Sequence, residues 1–147
     1  MKTLNSLIAA ASLALAGCAG TGSSVTSPVG PDKVVYHLNE GLAQATNGLR
    51  NIRNHLEVNP KAQIVVIAHA QGVDYLMKGK KDVAGNPYEV IVQDLKSQGV
   101  TFDVCEITLR NRKLTKDQFI EEVVYVPSGV AEITRLQQRE GFSYLRP

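Results

Sequence analysis

Residues 63–70 read QIVVIAHA, and this stretch decides the fold. Five consecutive apolar residues, Ile64 to Ala68, lead directly to His69. A strand with one solvent-facing side alternates polar and apolar residues, whereas a strand covered on both faces is apolar throughout. The run therefore predicts the central strand of a parallel sheet, with helices packed against both of its faces.

Strand patterns and helix patterns alternate on either side of this strand. β-Branched or alternating residues predict further strands at 33–38 (KVVYHL), 100–105 (VTFDVC), 122–127 (EVVYVP) and 142–146 (FSYLR). Apolar residues spaced by three and four predict helices at about 42–56 and 88–95, and Ser128 is placed to cap a third helix that ends near Glu140. Such repetition indicates a single α/β domain, a three-layer sandwich around a mostly parallel five-stranded sheet.

The N-terminal segment has the pattern of a bacterial lipoprotein signal. Lys2 precedes an apolar run that is too short to span a membrane. The run ends in Leu15-Ala16-Gly17-Cys18, which looks like a lipobox, the motif after which the cysteine is diacylated and becomes the new N-terminus. The alternative is an ordinary cleaved signal that carries an incidental cysteine.

A lipoprotein signal predicts three parts and a location. They are a signal peptide at 1–17, a Gly/Ser/Thr/Pro-rich flexible tether at 18–32 that begins with lipidated Cys18, and a folded domain at 33–147. Acyl chains anchor a protein stably without a membrane-spanning segment. Because Ala19, and not aspartate, follows the cysteine, the pattern resembles lipoproteins sorted to the outer membrane. We expect the domain at the periplasmic face of the outer membrane.

Charge and cysteine content limit the chemistry of the domain. The formal net charge of +2 gives no basis for a nucleic-acid partner, and no cofactor is predicted. The chain has two cysteines, and lipidation consumes Cys18, so Cys105 has no intramolecular disulfide partner. An unpaired cysteine in an exported protein is part of an intermolecular bond, a buried inert residue or a reactive thiol.

Chemistry-bearing residues stand where the predicted strands end. His37, His69 and Cys105 close three strands, and Ser128-Gly129 leads from the fourth strand into a helix. Ligands of open α/β sheets bind beyond the carboxyl ends of the strands, so these residues share one rim. A cysteine at a helix N-terminus meets unpaired amides, which lower the pKa of its thiol. The sequence therefore predicts Cys105 as a nucleophile, with His37 and His69 as proton acceptors or ion-pair partners.

Other residues near the rim have both a binding and a structural interpretation. Glu40 orients His37 or only begins the following helix, and Ser128-Gly129 cradles a small anion or only caps a helix. Arg110 and Arg112 follow the cysteine within two turns, where they attract an anionic sulfur donor such as thiosulfate or remain solvated.

The stretch GVTFDVCEITLRNRKLTKDQF, residues 99–119, resembles the DsrE/DsrF-like family, which includes sulfur-relay subunits and YchN-like proteins. The resemblance continues in VVYHLNEG, VVIAHAQGVDYLM, GNPYEVIVQDLKSQGVTF and VPSGVAEITRLQQREGFSYLRP, so it spans residues 33–147. It implies a five-stranded α/β sandwich that assembles into homotrimers or homohexamers. It also implies that Cys105 occupies the position of the cysteine that carries a persulfide in relay members. The lipobox departs from those members, which act in the cytoplasm.

Three hypotheses about function follow. The protein is a sulfur carrier in which the Cys105 thiolate takes sulfur from a donor protein or donor compound and passes it to an acceptor thiol. Alternatively, Cys105 is inert and an oligomeric rim binds a small ligand or a partner protein. The third hypothesis is a metal or redox sensor built from His37, His69 and Cys105, which requires the three side chains to converge. The sequence lacks closely spaced ligand pairs, so no metal site is predicted.

Overall fold

The computed structural model describes residues 30–147, so the predicted signal peptide and Cys18 lie outside the described residues. The strands are β1 (Lys33–Leu38), β2 (Gln63–Ala68), β3 (Thr101–Cys105), β4 (Val123–Val126) and β5 (Ser143–Leu145). The α-helices are α1 (Leu42–Val58), α2 (Tyr88–Ser97), α3 (Glu106–Arg112) and α4 (Gly129–Glu140). Two 3₁₀ helices, Ala70–Leu76 and Lys116–Gln118, follow β2 and α3.

The five strands form one sheet in the order β4-β3-β2-β1-β5, and every pairing is parallel. The predicted α/β fold is thereby confirmed, with β2 as the central strand. The chain adds strands in one direction from β1 to β4 and then crosses back to place β5 on the other side of β1. All five carboxyl ends therefore lie along the same edge of the sheet.

The two faces of the sheet are covered unequally. On the first face, α1, α2 and the first 3₁₀ helix enclose the larger core, which includes Leu49, Tyr75 and Phe102. On the second face α4 packs Ile133 and Leu136 against β1 and β2, and it is the helix that covers this face within residues 30–147. No helix within those residues is both long and apolar enough to cross a membrane.

Local signals in the sequence set the helix ends. Ser128 caps α4, as predicted, by accepting the Ala131 amide on its side chain. Gly72 serves a different purpose, because a Cβ at this position would lie 2.1 Å from the carbonyl oxygen of Leu38. The start of the first 3₁₀ helix therefore packs directly against the backbone where β1 ends.

Asp103 on β3 makes the stability of the domain depend on pH. It is 5% exposed, and burial together with nearby Glu132 raises its pKa to about 7, although Arg135 opposes the shift. An acid whose pKa is raised on folding binds more protons in the folded state between about pH 4 and 7. Its contribution to the free energy of unfolding is therefore present at low pH and is lost as the pH rises through that window.

We expect Asp103→Asn to remove this pH dependence. Relative to the variant, the wild-type protein should lose on the order of 3 kcal/mol of unfolding free energy between pH 4.5 and 8. Urea unfolding of both proteins at the two pH values measures the difference, and the comparison cancels the opposite contribution of groups that both proteins share. Asp94→Asn, on the exposed side of α2, is the matched control and should behave as wild type. Parallel pH profiles for Asp103→Asn and wild type would contradict the assignment.

Candidate functional site

Cys105 lies at the junction of β3 and α3. It is the last residue of β3, pairs with Val126 of β4, and is the N-cap residue of α3. The side chain is 5% exposed and does not form a disulfide within the described residues. The predicted placement of this cysteine, between a strand and a helix, is thus the observed one.

Hydrogen-bond donors surround the sulfur of Cys105. Burial raises the pKa of the thiol, but the backbone amides of Gly129, Thr108 and Ile107 and the hydroxyl of Thr108 together outweigh burial, so the net shift is downward. The Gly129 amide comes from the first residue of α4, whereas the other donors come from α3. The first turns of two helices therefore converge on one sulfur atom and favour its thiolate form.

A cleft of about 510 Å³ lies beside Cys105. His69 and Gln71 line one side, the first turn of α3 lines another, and Ser128 and Val130 close it from α4. Val130 and Ile107 are substantially exposed, so the cleft has apolar side chains at its mouth. The cysteine is thus buried under polar donors and still borders a space large enough for a small molecule.

His37 and His69 meet beside the cleft through their ring nitrogens. Their Nε2 atoms are 2.6 Å apart, and Nδ1 of His37 lies 2.6 Å from the hydroxyl oxygen of Tyr144. The ring planes differ by 24° and the centroids are 4.7 Å apart. That centroid separation is what two imidazoles joined end to end through a short N···N contact require. The rings therefore meet edge to edge, and one hydrogen lies between them.

Both histidines are neutral at neutral pH. Burial, the other ring and the charge of Arg146 lower the pKa of His37 to about 4, and burial and Arg146 lower the pKa of His69. A neutral imidazole has one donor and one acceptor nitrogen. His69 therefore offers the cleft a hydrogen-bonding group, not a positive charge, and the predicted ion pair with the thiolate has no support.

The residue after His69 has a strained backbone that α3 holds in place. Ala70 adopts φ of 50°, a left-handed conformation that costs a non-glycine residue energy. Its amide donates to the Thr108 hydroxyl at 2.9 Å, and its carbonyl accepts from Arg112 at 2.8 Å. Arg112 also pairs with Asp74 at 2.7 Å. Thr108 therefore links the histidine segment to the cysteine through a single hydroxyl.

Gly129 brings α4 close to both reactive side chains. A Cβ on Gly129 would lie 3.4 Å from the Cβ of Cys105 and 3.4 Å from the Cβ of His69. The two Cβ atoms are therefore within twice that distance of each other. Gly129 therefore packs against both residues, and its amide lowers the pKa of the Cys105 thiol.

The structure brings some predicted residues together and leaves others apart. Cys105, His69 and Ser128 line the cleft, Gly129 packs against Cys105 and His69, and His37 is connected to the cleft through His69. Glu40 pairs with Arg146, whose charge acts on both histidines, so it is connected to them indirectly. Arg110 is exposed and does not line the cleft. Arg112 lies there instead, with its guanidinium already bound to Ala70 and Asp74.

Sequence reasoning missed two residues. Thr108 follows Cys105 by three positions, the spacing at which a hydroxyl in the first turn of a helix reaches its N-cap residue, so helical geometry alone indicated it. The strand predicted at 142–146 contains Tyr144, but no local pattern indicates its partner, since His37 is 107 residues away in the chain.

Metal ligation was also tested by the geometry. Within residues 30–147, no group of three His, Cys, Asp or Glu side chains is arranged to hold a metal ion. The short contact between the two Nε2 atoms also occupies the atoms that a bridging metal would need. The described part of the chain therefore provides no ligand set for the metal-sensor hypothesis.

Comparison with known proteins decides the family. The model of the DsrE/DsrF-like family matches residues 32–147. The chain belongs to this family. Its fold is similar to that of protein MTH1491 of Methanobacterium thermoautotrophicum, a protein of unknown function, with a TM-score of 0.69 and 32% identity over 79% of this chain and 99% of that chain. The E. coli ychN protein shares the fold, with a TM-score of 0.66 and 17% identity over the same shares of the two chains. No curated protein matches the chain significantly.

The contribution of the Thr108 hydroxyl to the lowered pKa of Cys105 can be tested by substitution. We expect Thr108→Val to raise the pKa of Cys105 and to slow its alkylation by iodoacetamide at neutral pH by about tenfold, since a hydrogen bond to a charged group contributes about 1.5–3 kcal/mol. Thr108→Ser keeps the hydroxyl and should restore the rate. Thr134→Val removes a hydroxyl that donates to Val130 within α4 and serves as the control. Equal rates in Thr108→Val and Thr134→Val would show that the Thr108 hydroxyl does not stabilise the thiolate.

Proposed function

We propose that this DsrE-like protein carries sulfane sulfur as a persulfide on Cys105. The observation that carries the proposal is the convergence of the Gly129, Thr108 and Ile107 amides and the Thr108 hydroxyl on the sulfur, with the net effect of lowering the thiol pKa. An inert buried cysteine has apolar surroundings that raise its pKa. Here the groups around the sulfur are polar, and Cys105 borders a cleft. Both features support a reactive thiol.

The transfer needs no oxidant or reductant besides its substrates. The Cys105 thiolate forms a bond to the sulfane sulfur of a donor such as thiosulfate while the donor's sulfur–sulfur bond breaks and sulfite leaves. The terminal sulfur then carries the negative charge. An acceptor thiolate attacks that terminal sulfur, and the Cys105 thiolate is the leaving group. The amides that stabilise the thiolate therefore assist both attack and release.

A second candidate is a binding module in which Cys105 stays inert. The observation in its favour is the low exposure of Cys105, 5%, together with the exposed apolar residues Val130 and Ile107 at the cleft mouth. Low exposure limits the size of an attacking reagent, whereas the lowered thiol pKa favours attack. The two candidates therefore differ in whether a small sulfur donor modifies the thiol.

The proposal also covers the cellular location and the oligomeric state of the protein. The lipobox-like Leu15-Ala16-Gly17-Cys18 supports a lipid anchor that holds the domain at the periplasmic face of the outer membrane. The proposal includes assembly into a homotrimer or homohexamer, which the resemblance to DsrE/DsrF-like proteins implies, and a separate sulfur-donor or acceptor protein as partner. Size-exclusion chromatography with light scattering and globomycin-sensitive processing of the precursor test these two features independently of the thiol.

Mass spectrometry of the unreduced protein tests the function directly. The full chain is isolated from the envelope without reductant and examined, intact and as peptides, before and after exposure to thiosulfate or polysulfide. We expect the mass of one sulfur atom on the Cys105 peptide, and we expect an acceptor thiol to remove it. An unmodified peptide that also resists polysulfide would reject the carrier function and leave the binding module.

A further inference from the structure

Three side chains form a diagonal chain of hydrogen bonds across neighbouring strands. Tyr144 of β5 stands opposite Val35 of β1, and it bonds to His37 two residues further along β1. His37 stands opposite Ile67 of β2, and it contacts His69 two residues beyond Ile67. The parallel register therefore places these three hydrogen-bonded side chains in a row that runs from the edge strand β5 to the cleft. His69 is the member that lines the cleft.

Tyr144, at the edge-strand end of this row of side chains, determines which atom donates in each hydrogen bond. The contact between the two Nε2 atoms is symmetric, since either imidazole can donate to the other. The contact between Tyr144 and His37 is not symmetric, because a phenol is a strong donor and a weak acceptor, whereas a neutral imidazole nitrogen is a strong acceptor. The 2.6 Å separation fits an O–H group that donates to Nδ1 of His37.

One tautomer follows for each ring. If Nδ1 of His37 accepts from Tyr144, the single hydrogen of this neutral ring is on Nε2 and points at Nε2 of His69. Nε2 of His69 is then an acceptor, and the hydrogen of His69 is on Nδ1. Within residues 30–147, Nδ1 of His69 has no hydrogen-bond partner, and it is the polar atom that the ring has available for the cleft.

We propose that Tyr144 is a positioning residue that fixes His69 as a hydrogen-bond donor to the cleft, so that the cleft selects an anionic sulfur species. The identity of the anion as a sulfur species rests on the function proposed above. His69 lines the cleft beside Cys105, whose thiol pKa is lowered by the amides of Gly129, Thr108 and Ile107, so a hydrogen on Nδ1 of His69 would add a neutral donor near the same sulfur. A persulfide anion or an anionic sulfur donor would be stabilised there, and no proton transfer to His69 is required.

The charged groups around Tyr144, His37 and His69 are consistent with a neutral His69 that donates a hydrogen bond. Arg146 follows β5, pairs with Glu40, and lowers the pKa of both histidines. On α3, the charge of Arg112 is taken up by Asp74. Asp103 of β3, on the same face of the sheet, lies beside Glu132 and Arg135 of α4 and titrates near pH 7. The tautomers are therefore best measured at a fixed pH above 7, where this carboxyl is ionised and both rings are neutral.

Nitrogen-15 NMR of the imidazole rings tests the proposal in the resting full-length protein, with no sulfur compound present. In wild type we expect His37 with its hydrogen on Nε2 and His69 with its hydrogen on Nδ1, the tautomer that free histidine disfavours. Tyr144→Phe should remove the bias and produce a mixture of both tautomers at His69. Tyr125→Phe, which removes a tyrosine hydroxyl bonded to Lys116 on the other face, should leave both rings unchanged. A wild-type His69 with its hydrogen on Nε2, or an unchanged His69 in Tyr144→Phe, would overturn the proposal.

A binding measurement separates this proposal from the proposed function. Thiosulfate is titrated into Cys105→Ser protein, which cannot accept sulfur as a persulfide, with and without Tyr144→Phe. We expect the second substitution to weaken thiosulfate binding about threefold or more, because only the fraction of protein with the hydrogen of His69 on Nδ1 can donate to the anion. Equal binding in the two proteins would overturn the selection of an anion by His69. Failure of wild type to form a persulfide, with the expected tautomers and binding intact, would instead reject only the carrier function.

Discussion

Cys105→Ser is expected to abolish persulfide formation and to leave the fold unchanged. Serine has nearly the same shape as cysteine, and its hydroxyl can accept the hydrogen bonds that the sulfur receives from Gly129 and Thr108. A hydroxyl is not ionised near neutral pH and forms no stable bond to sulfane sulfur. The mass increase after thiosulfate or polysulfide treatment should therefore fall below detection, a loss of at least a hundredfold under the conditions that load wild type.

The control for this substitution must account for the other cysteine in the chain. Cys18→Ser removes the predicted lipidation site and leaves Cys105 in place, so this variant should still form a persulfide after purification from the soluble fraction. The far-ultraviolet circular dichroism spectrum of Cys105→Ser should match that of wild type, and its free energy of unfolding in urea should agree with wild type within about 1 kcal/mol. Residual sulfur on the Cys105→Ser protein at wild-type level would place the chemistry elsewhere in the chain.

Gly72→Ala is expected to have the largest effect on stability. The added Cβ would lie 2.1 Å from the carbonyl oxygen of Leu38 and 2.7 Å from the amide nitrogen of Asn39. These are backbone atoms at the end of β1, and the same carbonyl accepts the amide of His69 at 3.1 Å. Neither side can shift without loss of strand contacts, so we expect a decrease of about 3–5 kcal/mol in the free energy of unfolding, a large share of the stability of a small domain.

Urea unfolding of Gly72→Ala beside Gly41→Ala measures this effect. Gly41 lies near the same 3₁₀ helix, but the nearest atom to a Cβ there is the Gln71 side-chain oxygen at 3.9 Å, an ordinary contact. Gly41→Ala should therefore change the free energy of unfolding by less than about 1 kcal/mol. If the two variants unfold at the same urea concentration, the close approach of Gly72 to β1 is relieved at little cost and the prediction is wrong.

The sequence predicted the fold more completely than the site, for a physical reason. The apolar run 64–68, the helical spacing from Leu42 to Leu56 and the cap at Ser128 are local signals, and each is confirmed by the corresponding element. The rim position of His37, His69 and Cys105 follows from those elements, since parallel strands end at one edge. The contact of His37 with Tyr144 depends on the crossover that places β5 beside β1, which no local pattern encodes.

The charge state of the two histidines at the site could not be predicted from local sequence patterns either. A histidine that ends a strand beside a cysteine suggests a proton acceptor or an ion-pair partner for the thiolate, and the sequence predicts these roles for His37 and His69. Their burial and the presence of Arg146 lower both pKa values, and Arg146 follows the last strand, far from either ring in the chain. Only the assembled sheet shows that the donors to the sulfur are uncharged amides and a hydroxyl.

Within residues 30–147, α4 is the helix that covers the second face of the sheet, and it joins the stability of the fold to the reactivity of the thiol. The first amide of α4 lowers the pKa of the Cys105 thiol, and the body of α4 packs against Val35 and Ile67. A transient detachment of α4 would admit bulky reagents and, in the same event, remove the donor that keeps the thiol ionised. Small reagents would then report the docked helix and bulky reagents the detached one. The ratio of the two labelling rates therefore measures how often α4 detaches from the sheet. The native Cys105 is the labelled residue, so no engineered cysteine is needed.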